Sequence, residues 1–242
     1  MAATADALLE RLASAPEQAG IFLDFDGVLA PIVARPEDAV APPETVAELE
    51  RLVARYALVS VVSGRAGDDV RARIGVDGVV IVGSHGLELS PEAEHWRRQI
   101  RDFASDAPWP VDQTELKGLS VAFHFREAED ERAAVLALEE IAARATDEGL
   151  APRFGRKVLE VLPPLGSNKG TAVRHLLEEA GLTRALVAGD DTTDIDSFRA
   201  VDELEWPVRV AVLSEESPAL LRDYAEIVVG STGEFLELLR RL

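Results

Sequence analysis

Cysteine is missing from all 242 residues, which excludes disulfides and any Cys-ligated zinc. Lysine is scarce: of 25 basic side chains only Lys117, Lys157 and Lys169 are lysines, the rest being arginines. Positive charge as a whole is short, because 44 Asp and Glu leave a net charge of −19. That balance excludes a general nucleic-acid or anionic-membrane binder, since such surfaces are basic. No apolar run approaches the ~20 residues of a membrane span. Residues 1–20 are Ala-rich and amphipathic, with Leu8, Leu9 and Leu12 on one face. They lack the basic start and apolar block of a signal peptide. A cytoplasmic, monomeric protein is the expectation. Apolar residues make up 47% of the chain, too many for disorder and enough for a sizeable core. A domain prior of roughly 100–200 residues allows one large domain or two small ones.

Short apolar runs alternate with amphipathic stretches. Strands are predicted at Ile21–Phe25, Ala57–Val62, Val79–Val82, Ala185–Ala188, Val208–Val212 and Ile227–Val229. Helices are predicted at Pro42–Tyr56, Gly67–Ile74, Lys169–Ala180, Thr193–Ala200 and Thr232–Leu242. Such alternation implies an α/β, Rossmann-like core with a mainly parallel sheet covered on both faces. The middle reads differently. Two helical patterns, Glu94–Ser105 and Ala128–Ala145, lie among strand-like segments Glu115–Phe125 and Lys157–Leu162. They predict a smaller α+β module inserted at residues 87–165 into a core formed by residues 1–86 and 166–242.

Ligands of open α/β sheets bind at the carboxyl ends of the strands. Asp24-Phe25-Asp26-Gly27, Ser63-Gly64-Arg65, Gly83-Ser84-His85-Gly86 and Gly189-Asp190-Asp191-Thr192-Thr193-Asp194 all fall there, and Asn168-Lys169-Gly170 opens a helix. If the first strand stayed regular, Asp24 and Asp26 would point the same way. Close carboxylates repel unless a cation relieves them. Asp24, Asp26, Asp190, Asp191 and Asp194 together suit Mg²⁺, which takes carboxylates, waters and substrate phosphate. Taken singly, Asp194 reads as a helix cap. The set fits phosphoryl transfer: Asp24 as nucleophile forming an aspartyl-phosphate, and Asp26 as general acid, then base. Ser63 would donate to a phosphate oxygen, and Lys169 would neutralise charge.

The order Asp-x-Asp, Ser, Lys, Asp-Asp along an alternating sheet resembles the haloacid dehalogenase-like phosphatases. Within them the segments Asp24–Ile32, Val62–Arg65, Gly83–Glu88, Lys117–Arg126, Gly155–Val161 and Gly189–Phe198 are most similar to the trehalose-6-phosphate phosphatase branch, a resemblance spanning about residues 20–236. The chain departs from that branch at Val28, where Thr is usual, and at Leu162-Pro163, where Arg-Pro is favoured. The resemblance implies an Mg²⁺-dependent hydrolysis of trehalose 6-phosphate to trehalose and phosphate. It implies substrate contacts from Arg65, Ser84, His85 and Gly86 in the core and Lys117, His124, Arg126 and Glu160 in the cap. His85 reads equally as a turn residue and His124 as plain surface, while His95 and His175 read as structural or exposed. Lys157 is either a cap-site residue or a strand-start charge. Cap closure is expected to exclude water until the aspartyl-phosphate forms.

Competing readings are a phosphatase for another sugar phosphate, such as a glycosylglycerate phosphate or sucrose phosphate, a phosphomutase, and a non-catalytic sugar-phosphate binder. A separate trehalose-phosphate synthase would be the partner in any coupled synthesis, because no synthase domain is expected ahead of the phosphatase.

Overall fold

The computed structural model describes residues 4–33, 35–126, 128–155, 157–214 and 217–242. Met1 to Ala3 of the amphipathic start, and Arg156 in the Gly155–Val161 segment, lie outside the described residues.

Six parallel strands form the larger sheet: β1 (Ala19–Leu23), β2 (Leu58–Val62), β3 (Val80–Val82), β8 (Arg184–Gly189), β9 (Trp206–Val212) and β10 (Ile227–Val229). Their order is β10-β9-β8-β1-β2-β3. β1 sits centrally and is buried at every position, as expected of a strand covered on both faces. Alternate residues feed two cores. Ile21 and Leu23 pack with α1 (Ala5–Ala13), α2 (Pro43–Arg55), α3 (Gly67–Ile74) and α8 (Thr232–Leu239), whereas Phe22 packs with α6 (Lys169–Ala180) and α7 (Asp194–Ala200). The predicted face of α1 is the buried one, through Leu8, Leu9 and Leu12. The chain leaves β1 toward β2 on one side and returns to β8 on the other, so the strand order reverses beside β1. That reversal opens a crevice at the carboxyl ends.

Between β3 and α6 the chain forms a second, antiparallel sheet of β4 (Thr114–Leu116), β5 (Val121–His124), β6 (Ala151–Gly155) and β7 (Val158–Leu162), ordered β4-β5-β7-β6. α4 (Ala93–Asp106) and α5 (Glu131–Asp147) cover one face, burying Ile100, Phe103, Leu138 and Ile141 against Val121, Phe123, Leu159 and Val161. The architecture is thus a Rossmann-like core with a small α+β cap.

Two details differ from expectation. The stretch read as one strand, Glu115–Phe125, is a hairpin: Lys117 N donates to Ser120 O at 2.8 Å, and Gly118 adopts φ 72°. The turn inverts the pleat, so Glu115 lies opposite Ala122 and shares the face of His124. β6 is an additional edge strand, with Pro152 inside it and exposed residues from Arg153 onward.

Candidate active site

β1 stops at Leu23, where Asp24 leaves the ladder with its carboxylate only 7% of the residue exposed. Asp24 Oδ1 accepts from Phe25 N at 2.7 Å, and Oδ2 meets Lys169 Nζ at 2.8 Å. Lys169 is 2% exposed and begins α6, whose N-cap Asn168 forms a reciprocal pair of bonds with Thr171. Its ammonium also meets Asp194 Oδ1 at 2.7 Å. Asp194 Oδ2 accepts from the backbone N–H of Asp190 and Asp191 at 3.0 and 3.1 Å, which fixes the loop after β8. Asp194 caps the preceding loop and not its own helix, whose N-cap is Thr193, and its other oxygen faces Lys169.

One oxygen each from Asp24, Asp190 and Asp194 lies within 4.8 Å of the others. Gly27 makes room for this: it adopts φ 74°, and a Cβ there would fall 2.1 Å from Asp190 Oδ2. The electrostatics are severe. Burial, chiefly, with help from Asp194 and against the pull of Lys169, raises Asp24 to about 7. Burial, then Asp24 and Asp194, raise Asp190 to about 8. Burial opposes the charge on Lys169, yet Asp194 and Asp24 outweigh it and raise its pKa. One ammonium among three carboxylates leaves negative charge unrelieved in a poorly solvated place. Clustered carboxylate oxygens of this kind suit a hard divalent cation, so the donor set fits Mg²⁺.

Asp26 and Asp191 stand outside that cluster. Asp26 turns from Asp24 because the strand has ended; Arg65 Nε and Nη2 donate to its two oxygens at 2.7 and 2.8 Å. Asp191 is exposed and accepts from Thr192 N. Both still line a cavity of about 330 Å³ together with Asp24, Ser63, His85 and Lys169. Ser63 is buried at the end of β2, and its Oγ accepts from Arg65 N at 3.2 Å.

The loop after β3 crosses the cavity wall in a left-handed conformation, with φ 52° at Ser84 and 54° at His85. Backbone bonds hold it: Ser84 N to Arg65 O at 2.7 Å and His85 N to Ser63 O at 2.9 Å. His85 lies against Gly64, where a Cβ would come within 2.6 Å of the imidazole. Its Nδ1 is buried without a protein partner. Burial first, then Lys169, Lys117 and Arg153, lower its pKa to about 3, so it stays neutral. Gly86 packs on the start of α6.

Direct contacts join the cap to this loop. Ser84 Oγ donates to Lys117 O at 3.1 Å, and Gly118 sits over Ala66. The helix-free face of the cap sheet carries a cross-strand row: Glu115, Ala122, Glu160 and Arg153. Glu115 meets His124 Nε2 at 3.0 Å and Lys117 Nζ at 3.5 Å; the hydrogen bond with His124 is the main cause holding its carboxyl low. Glu160 accepts from Ser120 Oγ at 3.0 Å. Lys117, His124 and Glu160 thus share the face turned to the core. Arg126 is exposed in the turn after β5. Lys157 instead pairs with Glu131 on α5, the strand-start charge among its two readings. His95 and His175 are exposed. Sequence reasoning missed Glu115 and Arg153. The parity flip hid the first and Pro152 hid the strand carrying the second.

The trehalose-phosphatase family model matches residues 22–220. The chain belongs to the trehalose-phosphatase family. A trehalose-phosphate phosphatase of Mycobacterium marinum is 34% identical over 202 residues, which cover 75% of this chain and 51% of that protein. A bifunctional trehalose-6-phosphate synthase/phosphatase of Thermoproteus tenax is 33% identical over 208 residues, 78% of this chain and 28% of that one. This trehalose-phosphatase family chain thus spans about half the length, or less, of these curated relatives. In fold, it resembles the C-terminal domain of C. albicans trehalose-6-phosphate phosphatase, with a TM-score of 0.72 at 22% identity, covering 98% of this chain and 96% of that one. No helix among the described residues is long and apolar enough to cross a membrane.

Proposed function

We propose that the chain is an Mg²⁺-dependent phosphatase that converts trehalose 6-phosphate to trehalose and phosphate through an aspartyl-phosphate on Asp24. The observation that carries this reading is the buried Asp24–Lys169–Asp194 group, with Asp190 beside it, opening into a cavity under a polar cap face. Family membership and the phosphatase names of the relatives support it.

Asp24 Oδ attacks phosphorus, and the bond from phosphorus to the sugar oxygen breaks. Asp26 gives that oxygen a proton, and the sugar leaves as the alcohol. Water then attacks the phosphorus of the acyl phosphate; Asp26 takes its proton and Asp24 is released. Lys169, held by Asp24 and Asp194, presents a fixed cation to the phosphoryl oxygens, and Ser63 Oγ can turn its hydrogen toward them. Asp24, Asp190 and Asp194 would hold Mg²⁺ as ligands or immediate supports, Asp26 and Asp191 being farther partners; bound there, it offsets repulsion between carboxylate and phosphate dianion. Residues 87–165 act as the specificity cap, with Lys117, His124, Glu160 and Arg126 toward the sugar, while His85 lines the cavity and Arg65, Ser84 and Gly86 flank it. Carboxylates and imidazole suit hydroxyl groups. Closing the cap keeps water out until Asp24 carries phosphate. The high net charge suits a monomeric cytoplasmic protein. A separate trehalose-phosphate synthase would supply the substrate, a pairing fused into one chain in the relative named as bifunctional.

The test is phosphate release from a panel of sugar phosphates, with Mg²⁺ and with a chelator. The expected outcome is the highest kcat/KM for trehalose 6-phosphate and none under chelation. A preference for sucrose phosphate or a glycosylglycerate phosphate would replace the substrate, and a bisphosphorylated sugar intermediate would mark a mutase.

A further inference from the structure

Arg65 stands where its motif predicts a substrate contact, yet each of its three guanidinium nitrogens already donates to a carboxylate of the chain. Nε and Nη2 take one oxygen each of Asp26, at 2.7 and 2.8 Å, in the planar two-point geometry that only a guanidinium provides. Nη1 reaches Asp69 Oδ2 at 3.2 Å. Asp69 is itself held at its other oxygen by Arg73 Nε at 2.8 Å, and Arg73 donates onward to the carbonyls of Glu37 and Ala39. The guanidinium lies 5.5 Å from the centre of the Phe25 ring, and its side chain is only 15% exposed. The backbone of Arg65 is equally fixed. Its N–H donates to Ser63 Oγ, and its carbonyl accepts from Ser84 N, whose own hydroxyl donates to the cap at Lys117. Asp26 lies beyond the strand in a tight loop closed by Gly27 N to Ala30 O at 2.8 Å, and Arg65 supplies the side-chain bonds that orient its carboxylate.

We propose that Arg65 is a positioning residue for Asp26: it holds that carboxylate at the cavity edge for the step in which the phosphorylated Asp24 is hydrolysed, with the Asp69–Arg73 pair bracing it from behind. Each carboxylate oxygen has two lone pairs, so one can stay with Arg65 while the other takes the water's proton. The clamp therefore survives the hydrolytic step unbroken. Arg65 is spent on the enzyme's own acid, and the sugar is left to the cap.

This inference rests on the reading of Asp26 as the proton-transfer group. The test separates the two steps with p-nitrophenyl phosphate, whose phenolate leaves without needing a proton. Arg65→Met is expected to release about one equivalent of nitrophenolate rapidly, load Asp24 with phosphate, and then turn over about 100-fold slower than the parent, the scale of a misplaced catalytic group. Arg65→Lys, which keeps the charge without the planar fork, and guanidinium added to Arg65→Ala should each restore part of the steady-state rate. Parental steady-state turnover in Arg65→Met would overturn the proposal. So would loss of the burst together with turnover, because that is damage to the site as a whole. Asp26→Asn distinguishes the failures: if it also turns over normally, the assignment of Asp26 itself falls, and if it is slow while Arg65→Met is not, only the positioning role falls.

Discussion

The core site and the cap face are both built from charged side chains, but they solve opposite problems. In the core, Lys169, Asp24 and Asp194 are 2%, 7% and 2% exposed, and every ion pair among them is shorter than 3 Å. On the cap face, Glu115, Lys117 and His124 keep 38%, 30% and 43% of their side chains in solvent. Buried charges are costly unless geometry is fixed, and fixed geometry is what a phosphoryl group in flight requires. Half-solvated pairs are weak and exchangeable, which suits hydroxyl groups that must displace them. The scarce lysines follow the same division, Lys169 lining the cavity, Lys117 on the cap face and Lys157 paired with Glu131 away from both. The acidic surplus extends into the cavity itself, where Lys169 faces Asp24, Asp26, Asp190 and Asp191.

The sharpest way to break this contrast is to remove the central cation. Lys169→Met leaves Asp24 and Asp194 buried and facing each other, and should cost about 3–5 kcal/mol of stability, the usual result of orphaning a buried charge. Activity should vanish with it. Asp24→Asn should abolish turnover as well, while removing a charge that burial disfavours, and so keep the fold. Urea denaturation of the two variants checks the pair; equal stability would mean that the core charges are no more coupled than those of the cap.

Gly27→Ala tests the same site through sterics. The substituted residue must hold φ 74° and displace the Asp190 carboxylate. A loss of about 1–3 kcal/mol is expected from crowding. Mg²⁺ should bind more weakly by calorimetry, whereas Gly75→Ala, at φ 64° with nothing within 4 Å, should leave Mg²⁺ binding unchanged.

Much of this was legible from sequence, and the reason is local. α3 and α6 begin and end where periodicity and the following glycine place them, because their faces, caps and stops all lie within a few residues. The strand-end carboxylates were legible because a parallel sheet brings its carboxyl ends together whatever the loops do. What was hidden depended on a single turn or on a distant partner. An alternating pattern runs unbroken through Glu115–Phe125, and only the bond from Lys117 to Ser120 reveals that it folds back, exchanging the faces on the Glu115 side. The pairing of Asp26 with Arg65 joins residues on adjacent strand ends, and nothing in either motif states that they meet.

His85 lies between the two regions and reads both. Lys169 below it and Lys117 and Arg153 above it, added to burial, keep it neutral down to about pH 3 against 6.5 when unfolded. The unfolded chain therefore binds the extra proton first. Stability is unaffected above about pH 6.5 and falls as acid is added through that window, by roughly 1–2 kcal/mol between pH 7 and 5. His85→Gln should flatten this part of the acid-stability curve, measured as the difference in unfolding free energy between the two proteins at each pH. An unchanged slope would show that the folded protein does not hold His85 neutral through this window.

The smallest expected effect on stability, and the most selective on activity, comes from the cap. Glu115→Gln keeps the size of the side chain and a hydrogen-bond acceptor for His124, but removes the charge that Lys117 and His124 share. Exposed pairs of this kind contribute only about 0–1 kcal/mol, so the melting curve should barely move. The ammonium of Lys117 would be released to other partners, and kcat/KM for trehalose 6-phosphate should fall about tenfold, equivalent to 1.4 kcal/mol. Hydrolysis of p-nitrophenyl phosphate, which offers the cap no sugar, should remain at the parental rate. Equal losses on both substrates would mean that Glu115 acts through the core, by way of the Lys117 carbonyl bond to Ser84, and the cap face would then be an extension of the phosphate site, with no separate task of reading hydroxyl groups.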